Sequence, residues 1–74
     1  MKLTVKDLIR KFSFASLENK CIAIADEYGN TLSSLQINSI FDIDHFLKVD
    51  KFLNYDVVEF YVSDYWGLDI YISI

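Results

Sequence analysis

His45, the one histidine, follows the carboxylates Asp42 and Asp44 in the 74-residue chain, and is the first place to look for chemistry. An imidazole beside a carboxylate can serve as a general base, and a triad would add a nucleophile framed by glycine. No serine here has that frame. Cys21 has only Lys20 as an adjacent cation and reads as a small buried residue. Asp42-Ile43-Asp44 also has the Asp-x-Asp spacing of phosphoryl-transfer sites and of the opening of a calcium loop. A calcium loop would need an oxygen ligand near Phe46, glycine near Leu47 and glutamate near Leu53, and none is there. A phosphatase needs a far longer chain to supply its lysine and metal ligands. A single cysteine excludes a cysteine-only zinc site, and His45 as a metal ligand would stand without cysteine or histidine companions. The chain is therefore expected not to be an enzyme, with no catalytic, cofactor-binding or metal residues and no cofactor. Asp42 and Asp44 read as helix-start carboxylates.

What remains is binding chemistry, concentrated in the last eighteen residues. Val58, Phe60 and Val62 alternate in one run, and Leu68, Ile70, Ile72 and Ile74 in the next. A period of two on either side of a turn predicts a β-hairpin with those residues on its inner, core face. Its outer face then carries Val57, Glu59, Tyr61, Asp69, Tyr71 and Ser73, with Asp64, Tyr65 and Trp66 at the tip and Gly67 supplying a positive φ. Tyrosine and tryptophan bury large area at low entropic cost and keep a polar handle, so they dominate binding hot spots. Interleaved acids suit a basic or arginine-rich patch. Glu59, Tyr61, Asp64, Tyr65, Trp66, Asp69 and Tyr71 are thus the candidate protein-binding residues. In the plainer alternative, the tyrosines only pair across strands and Trp66 folds back over its own hairpin.

These side chains need a scaffold, and the rest of the chain encodes one. Thr4 with Asp7 forms a capping signal, and Val5, Leu8, Ile9 and Phe12 recur at helical spacing, which predicts an amphipathic helix over residues 5–12. Ser13 to Asn19 reads as a connection. Lys20 to Asp26 reads as a strand buried on both faces, followed by a turn at Asp26-Glu27-Tyr28-Gly29-Asn30 and a second strand within Thr31 to Ile37. Ser39 with Asp42 suggests a second capped helix between Asp42 and Asn54. The expected fold is a single α+β domain over 1–74, in αββαββ order, its antiparallel sheet of two hairpins packed against one or two helices. Ala25-Asp26-Glu27-Tyr28-Gly29 and Ser63-Asp64-Tyr65-Trp66-Gly67 echo each other. Turn chemistry alone would select such residues; a duplication, or two tips serving one surface, would do so too.

Composition bounds the rest. Hydrophobic residues make up 53% and aromatics 16%, with no proline and two glycines, so a chain close to the lower size limit for a single core is equipped to build one. A lone cysteine excludes an intrachain disulfide framework and fits a reducing cytoplasm. No apolar run has signal-peptide or membrane-spanning length. Residues 1–20 sum to +3, while residues 21–74 sum to −7, giving the net −4. An acidic body argues against nucleic acid as a direct ligand, since phosphate binding needs clustered lysine and arginine.

The opening Thr4-Val5-Lys6-Asp7-Leu8-Ile9-Arg10, the small size, the acidic α+β plan and a usage rich in Phe, Tyr, Ile, Asn and Lys resemble the small accessory proteins of phages and mobile elements in Gram-positive bacteria. Anti-CRISPR proteins are among these. The resemblance is one of type over the whole chain, so it assigns no residue. It implies an inhibitor that binds a host nucleic-acid enzyme, with an anti-CRISPR protein occupying a basic surface of a Cas effector in the host cytoplasm as the concrete case. The alternative it implies is a small accessory or assembly subunit that homodimerises or docks on another element-encoded protein.

With no nucleophile, base and orienting group assembled in the sequence, His45→Ala and Cys21→Ser should each leave biological activity near wild type. A folded variant of either kind that had lost activity would contradict the non-enzymatic reading.

Overall fold

The computed structural model describes residues 3–74. The first helix, α1, spans Val5–Arg10 and begins where sequence chemistry places it. The Thr4 hydroxyl accepts the Asp7 N–H at 3.2 Å, and the Asp7 carboxylate accepts the Thr4 N–H at 3.4 Å. Two further helix-start donors, the N–H groups of Val5 and Lys6, reach the carbonyls of Tyr55 and Leu53, each at 3.0 Å. The Val57 N–H donates to the Leu3 carbonyl at 2.8 Å beside a Thr4–Asp56 bridge. The start of α1 is therefore stitched to the segment 53–57.

α1 is shorter than the expected 5–12, because Ser13 starts a separate turn of helix, α2, over Phe14–Leu17. The Ser13 hydroxyl accepts the Ser16 N–H at 3.3 Å. Four residues are too few to register as a period, which is why this stretch read as a connection. Asn19, at φ 63°, turns the chain out of α2 toward the sheet.

The strands are β1 (Cys21–Ala25), β2 (Thr31–Gln36), β3 (Val57–Ser63) and β4 (Gly67–Ile72), with α3 (Ile40–Val49) between β2 and β3. The β1–β2 turn is held by the Asp26 carboxylate, which accepts the N–H groups of Tyr28 at 2.9 Å and Asn30 at 3.0 Å and the Asn30 side-chain amide at 3.1 Å. The backbone bond from Asn30 leads these in holding the Asp26 carboxyl below its ordinary value. Gly29 sits at φ 86°, as such a turn requires. At the start of α3 the Asp42 carboxylate accepts the N–H groups of Asn38 at 2.8 Å and Ser39 at 3.0 Å, so Asp42 is a capping residue.

The four strands form one sheet in the order β2-β1-β4-β3. Both hairpins are antiparallel as expected, but the sheet is mixed, because β1 and β4 pair in parallel at its centre, from Cys21 opposite Gly67 to Ala25 opposite Tyr71. The close approach at the start of this pairing requires glycine. Gly67 lies at φ 130°, and a Cβ built on it would collide with the backbone of Cys21. Only glycine lets β4 start flush against β1, where the Cys21 N–H donates to the Trp66 carbonyl at 2.9 Å.

One face of the sheet is core. Ile22 and Ile24 of β1 and Leu68, Ile70 and Ile72 of β4 join Val5, Leu8 and Ile9 of α1, Leu17 of α2, Ile43 and Phe46 of α3, and Phe52 and Leu53 of the following loop in a single buried cluster. β1 is therefore not buried on both faces: Cys21, Ala23 and Ala25 point the other way and are half-buried.

The expected inner face of the last hairpin holds only for Leu68, Ile70 and Ile72, since Ile74 lies beyond β4 and is exposed. In β3 a bulge between Val57 and Glu59 brings Val57, rather than Val58, opposite Ile72. Val57 packs on the core, while Val58 is left 58% exposed. Phe60 and Val62 pair with Ile70 and Leu68 and so share the core face, but the helical layer stops short of this edge strand and leaves them 41% and 57% exposed.

Burial now decides which substitutions matter. Phe60→Ala should cost about 1 kcal/mol, since only part of the ring leaves water. Ile70→Ala should cost about 2 to 5 kcal/mol. Gly67→Ala should cost about 2 to 5 kcal/mol as well, from backbone strain and collision rather than lost apolar contact. Denaturation midpoints in that order check the layer; a Phe60→Ala loss equal to that of Ile70→Ala would place Phe60 in the core.

Candidate functional site

The face of the sheet opposite the core bears the candidate binding residues because of strand alternation and register. Glu59 pairs with Tyr71 and Tyr61 with Asp69 across the β3–β4 ladder, so all four project to the same side. Tyr61 and Tyr71 lie on the diagonal and meet edge-to-face, with centroids 5.8 Å apart and ring planes at 84°. The Tyr61 hydroxyl donates to the Glu59 carboxylate at 3.1 Å, and the Trp66 indole N–H donates to the Asp69 carboxylate at 2.8 Å. Two aromatic–acid pairs are thus held side by side. The bond to Glu59, followed by the repulsion between its charge and a phenolate, pushes the Tyr61 phenol above its ordinary value.

Five of the seven predicted residues, Glu59, Tyr61, Trp66, Asp69 and Tyr71, are brought together. Asp64 and Tyr65 stay at the exposed hairpin tip, with Tyr65 95% exposed. The tip itself is fixed by the Ser63 hydroxyl, which accepts the N–H groups of Tyr65 and Trp66, both at 3.2 Å. Trp66 does fold back over its own hairpin and the tyrosines do make cross-strand contact. These bonds nevertheless leave Trp66 45% exposed, so the cluster is ordered and still accessible.

The sequence reading missed the floor beside this cluster. In the parallel ladder Ala23 lies opposite Asp69 and Ala25 opposite Tyr71. Small side chains on β1 leave the centre of the face low, flanked by the taller Tyr71 and Trp66. The alternation Cys21-Ile22-Ala23-Ile24-Ala25 carried that signal, small residues on one face and isoleucine on the other, but read as a run buried on both. At the margins the Cys21 thiol donates to the Gln36 side-chain carbonyl at 3.2 Å, and the Ser73 hydroxyl donates to Glu27 at 2.8 Å.

The two echoed turn motifs do not form one surface. Because β1 and β4 run parallel, the turn after β1 and the turn before β4 lie at opposite ends of the sheet. The first turn is held by the Asp26 carboxylate and the second by the Ser63 hydroxyl. His45 and Asp44 lie exposed on α3, away from this face, and Asp42 is engaged in capping. Among the described residues no group of His, Cys, Asp and Glu has the geometry to hold a metal, and no helix is long and apolar enough to cross a membrane. An open depression of about 400 Å³ lined by Asn54, Tyr55, Asp56, Val58 and Ser73 lies at the β3 end of the sheet, outside the aromatic cluster.

Comparison with protein-family models, with curated proteins and with solved structures returns no match, so the functional reading rests on this geometry.

If Glu59 raises the Tyr61 phenol, Glu59→Ala removes both the accepting oxygen and the charge and should bring its titration midpoint down toward the ordinary tyrosine value. An NMR titration of the Tyr61 ring carbons reads this directly. An unchanged midpoint would dissolve the pair.

Proposed function

We propose that the protein is a non-enzymatic binding protein that inhibits a nucleic-acid enzyme by occupying a basic surface on it, through the uncovered sheet face bearing Glu59, Tyr61, Trp66, Asp69 and Tyr71. A Cas effector is the specific target class that the likeness to mobile-element accessory proteins suggests. The observation that carries the reading is the pairing of each acid with an aromatic, Glu59 with Tyr61 and Asp69 with Trp66. An arginine guanidinium can stack on a ring while bonding a carboxylate, and here both groups are held in place before the partner arrives, which lowers the ordering cost of binding. The −7 carried by residues 21–74 adds long-range attraction to a basic partner. Asp64 and Tyr65 at the tip extend the same surface.

The reading predicts a division of labour. Trp66→Ala or Tyr71→Ala should weaken binding by about 2 kcal/mol or more, as central aromatic anchors do. Asp64→Lys, at the exposed tip, should mainly slow association and flatten its salt dependence, because exposed charges are screened over roughly 8 Å at physiological ionic strength, whereas Asp69→Lys should also weaken binding by removing the half-buried carboxylate that holds Trp66. Pulldown with Cas effectors, then DNA cleavage by the captured enzyme with each variant, tests both, alongside unfolding midpoints. Inhibition that survives in folded variants lacking Trp66, Tyr71 and both acids would move the working surface elsewhere, with Lys6, Arg10 and Lys11 of the first helical segment the next to test.

A further inference from the structure

We propose that the free edge of β3 is a homodimerisation site, at which two copies of this chain pair antiparallel between Glu59 and Ser63 and join their sheets into one. This does not rest on the inhibitor reading, since it uses the sheet edge and not its face.

β3 is an edge strand in the order β2-β1-β4-β3, and between Val57 and Ser63 it carries neither lysine nor proline, the residues that usually blunt such an edge. Its first part is already closed: the Val57 N–H is bonded to the Leu3 carbonyl at 2.8 Å, beside the Thr4–Asp56 bridge. That same bond shows which way the strand faces. Val57 pairs with Ile72 on one side and donates to Leu3 on the other. Carried through the bulge at Val58, the alternation of an antiparallel ladder directs the backbone N–H and C=O groups of Phe60 and Val62 to the free edge.

The open window is therefore Glu59-Phe60-Tyr61-Val62-Ser63, and it is self-complementary about Tyr61. With the two-fold axis there, Phe60 of each copy exchanges backbone hydrogen bonds with Val62 of the other, Glu59 meets a serine, and Tyr61 meets its own mate. Centring the pairing on Phe60 would drive Ser63 onto Val57, whose N–H is taken by Leu3. Centring it on Glu59 would set like charges face to face. The Tyr61 register avoids both conflicts. An axis normal to the sheet also keeps Phe60 and Val62 of both copies on the core side, so the apolar side chains that the helical layer leaves exposed would cover one another. A pairing this short falls below the roughly 1,200–2,000 Å² of standard interfaces, so the dimer should exchange with monomer.

Sedimentation velocity on the whole chain from roughly 1 μM to 1 mM, the range in which a weak interface titrates, should show the 8.7 kDa species giving way to one of twice that mass. Phe60→Lys and Val62→Lys lie at exposed positions and should each raise the dissociation constant at least about tenfold, in the manner of a natural edge guard, with far-UV circular dichroism unchanged. In a Cys21→Ser background, Tyr61→Cys should oxidise to a disulfide-linked dimer, since a non-hydrogen-bonded antiparallel pair brings its Cα atoms to about 4.5 Å. Glu59→Cys, two pairs from the axis, should not. A wild-type chain that stays monomeric throughout, a dimer unaffected by both lysine substitutions, or Glu59→Cys crosslinking in place of Tyr61→Cys would each overturn the proposal. The first result would leave the edge to a strand from another protein, and the second would place self-association on another surface.

Discussion

The rest of the fold depends on the approach of two backbones at one point, where Gly67 lies against Cys21. β4 can run beside β1 from its first residue only because position 67 has no Cβ and can adopt φ 130°. That contact sets the register in which the two central strands pair in parallel, and the register fixes which residues line each side. Ile22, Ile24, Leu68, Ile70 and Ile72 share the core face, while Ala23, Ala25, Asp69 and Tyr71 share the other. The Trp66 carbonyl accepts the Cys21 N–H there, so the tip of the last hairpin is anchored by the same contact that closes the sheet.

Three short helices cover one side of the sheet, and their reach sets the character of each strand. The central strands are buried on the core side, and β2 is tied to the end of α3 by the Ser33 hydroxyl donating to Asp50 at 2.6 Å. Among the described residues β3 receives little cover beyond Val57. Its apolar side chains at 58, 60 and 62 are consequently the largest departure from an alternating, half-buried strand. The opposite face is ordered differently, by hydrogen bonds between aromatic groups and acids. An apolar edge and a polar aromatic face thus meet along one strand, and Tyr61 belongs to both.

Much of this was legible in the sequence wherever the determinant is local. The Thr4–Asp7 cap, the Asp26 turn, the capping role of Asp42, both hairpins and the outward set of Glu59, Tyr61, Asp69 and Tyr71 follow from hydrogen-bonding side chains and from a period of two, each acting within a few residues. α2 escaped because a single turn of helix has no period to detect. The one-sided burial of β1 is not legible, because a short apolar run does not say whether alanine and cysteine face a second layer or water.

The sequence by itself determined the α+β class, the element order apart from α2, and which side chains alternate together. Tertiary structure decided the rest. The parallel pairing of β1 with β4 is a relation between residues far apart in the chain, so only the assembled sheet shows that the two turn tips sit at opposite ends. The burial of Phe60 and Val62 depends on how far the helices extend over β3, and the bulge at Val58 shifts the alternation by one residue without leaving any mark in the residue types. A strand's pattern states which faces differ. What lies over each face is set by the packing of other segments, and that information is not local to the strand.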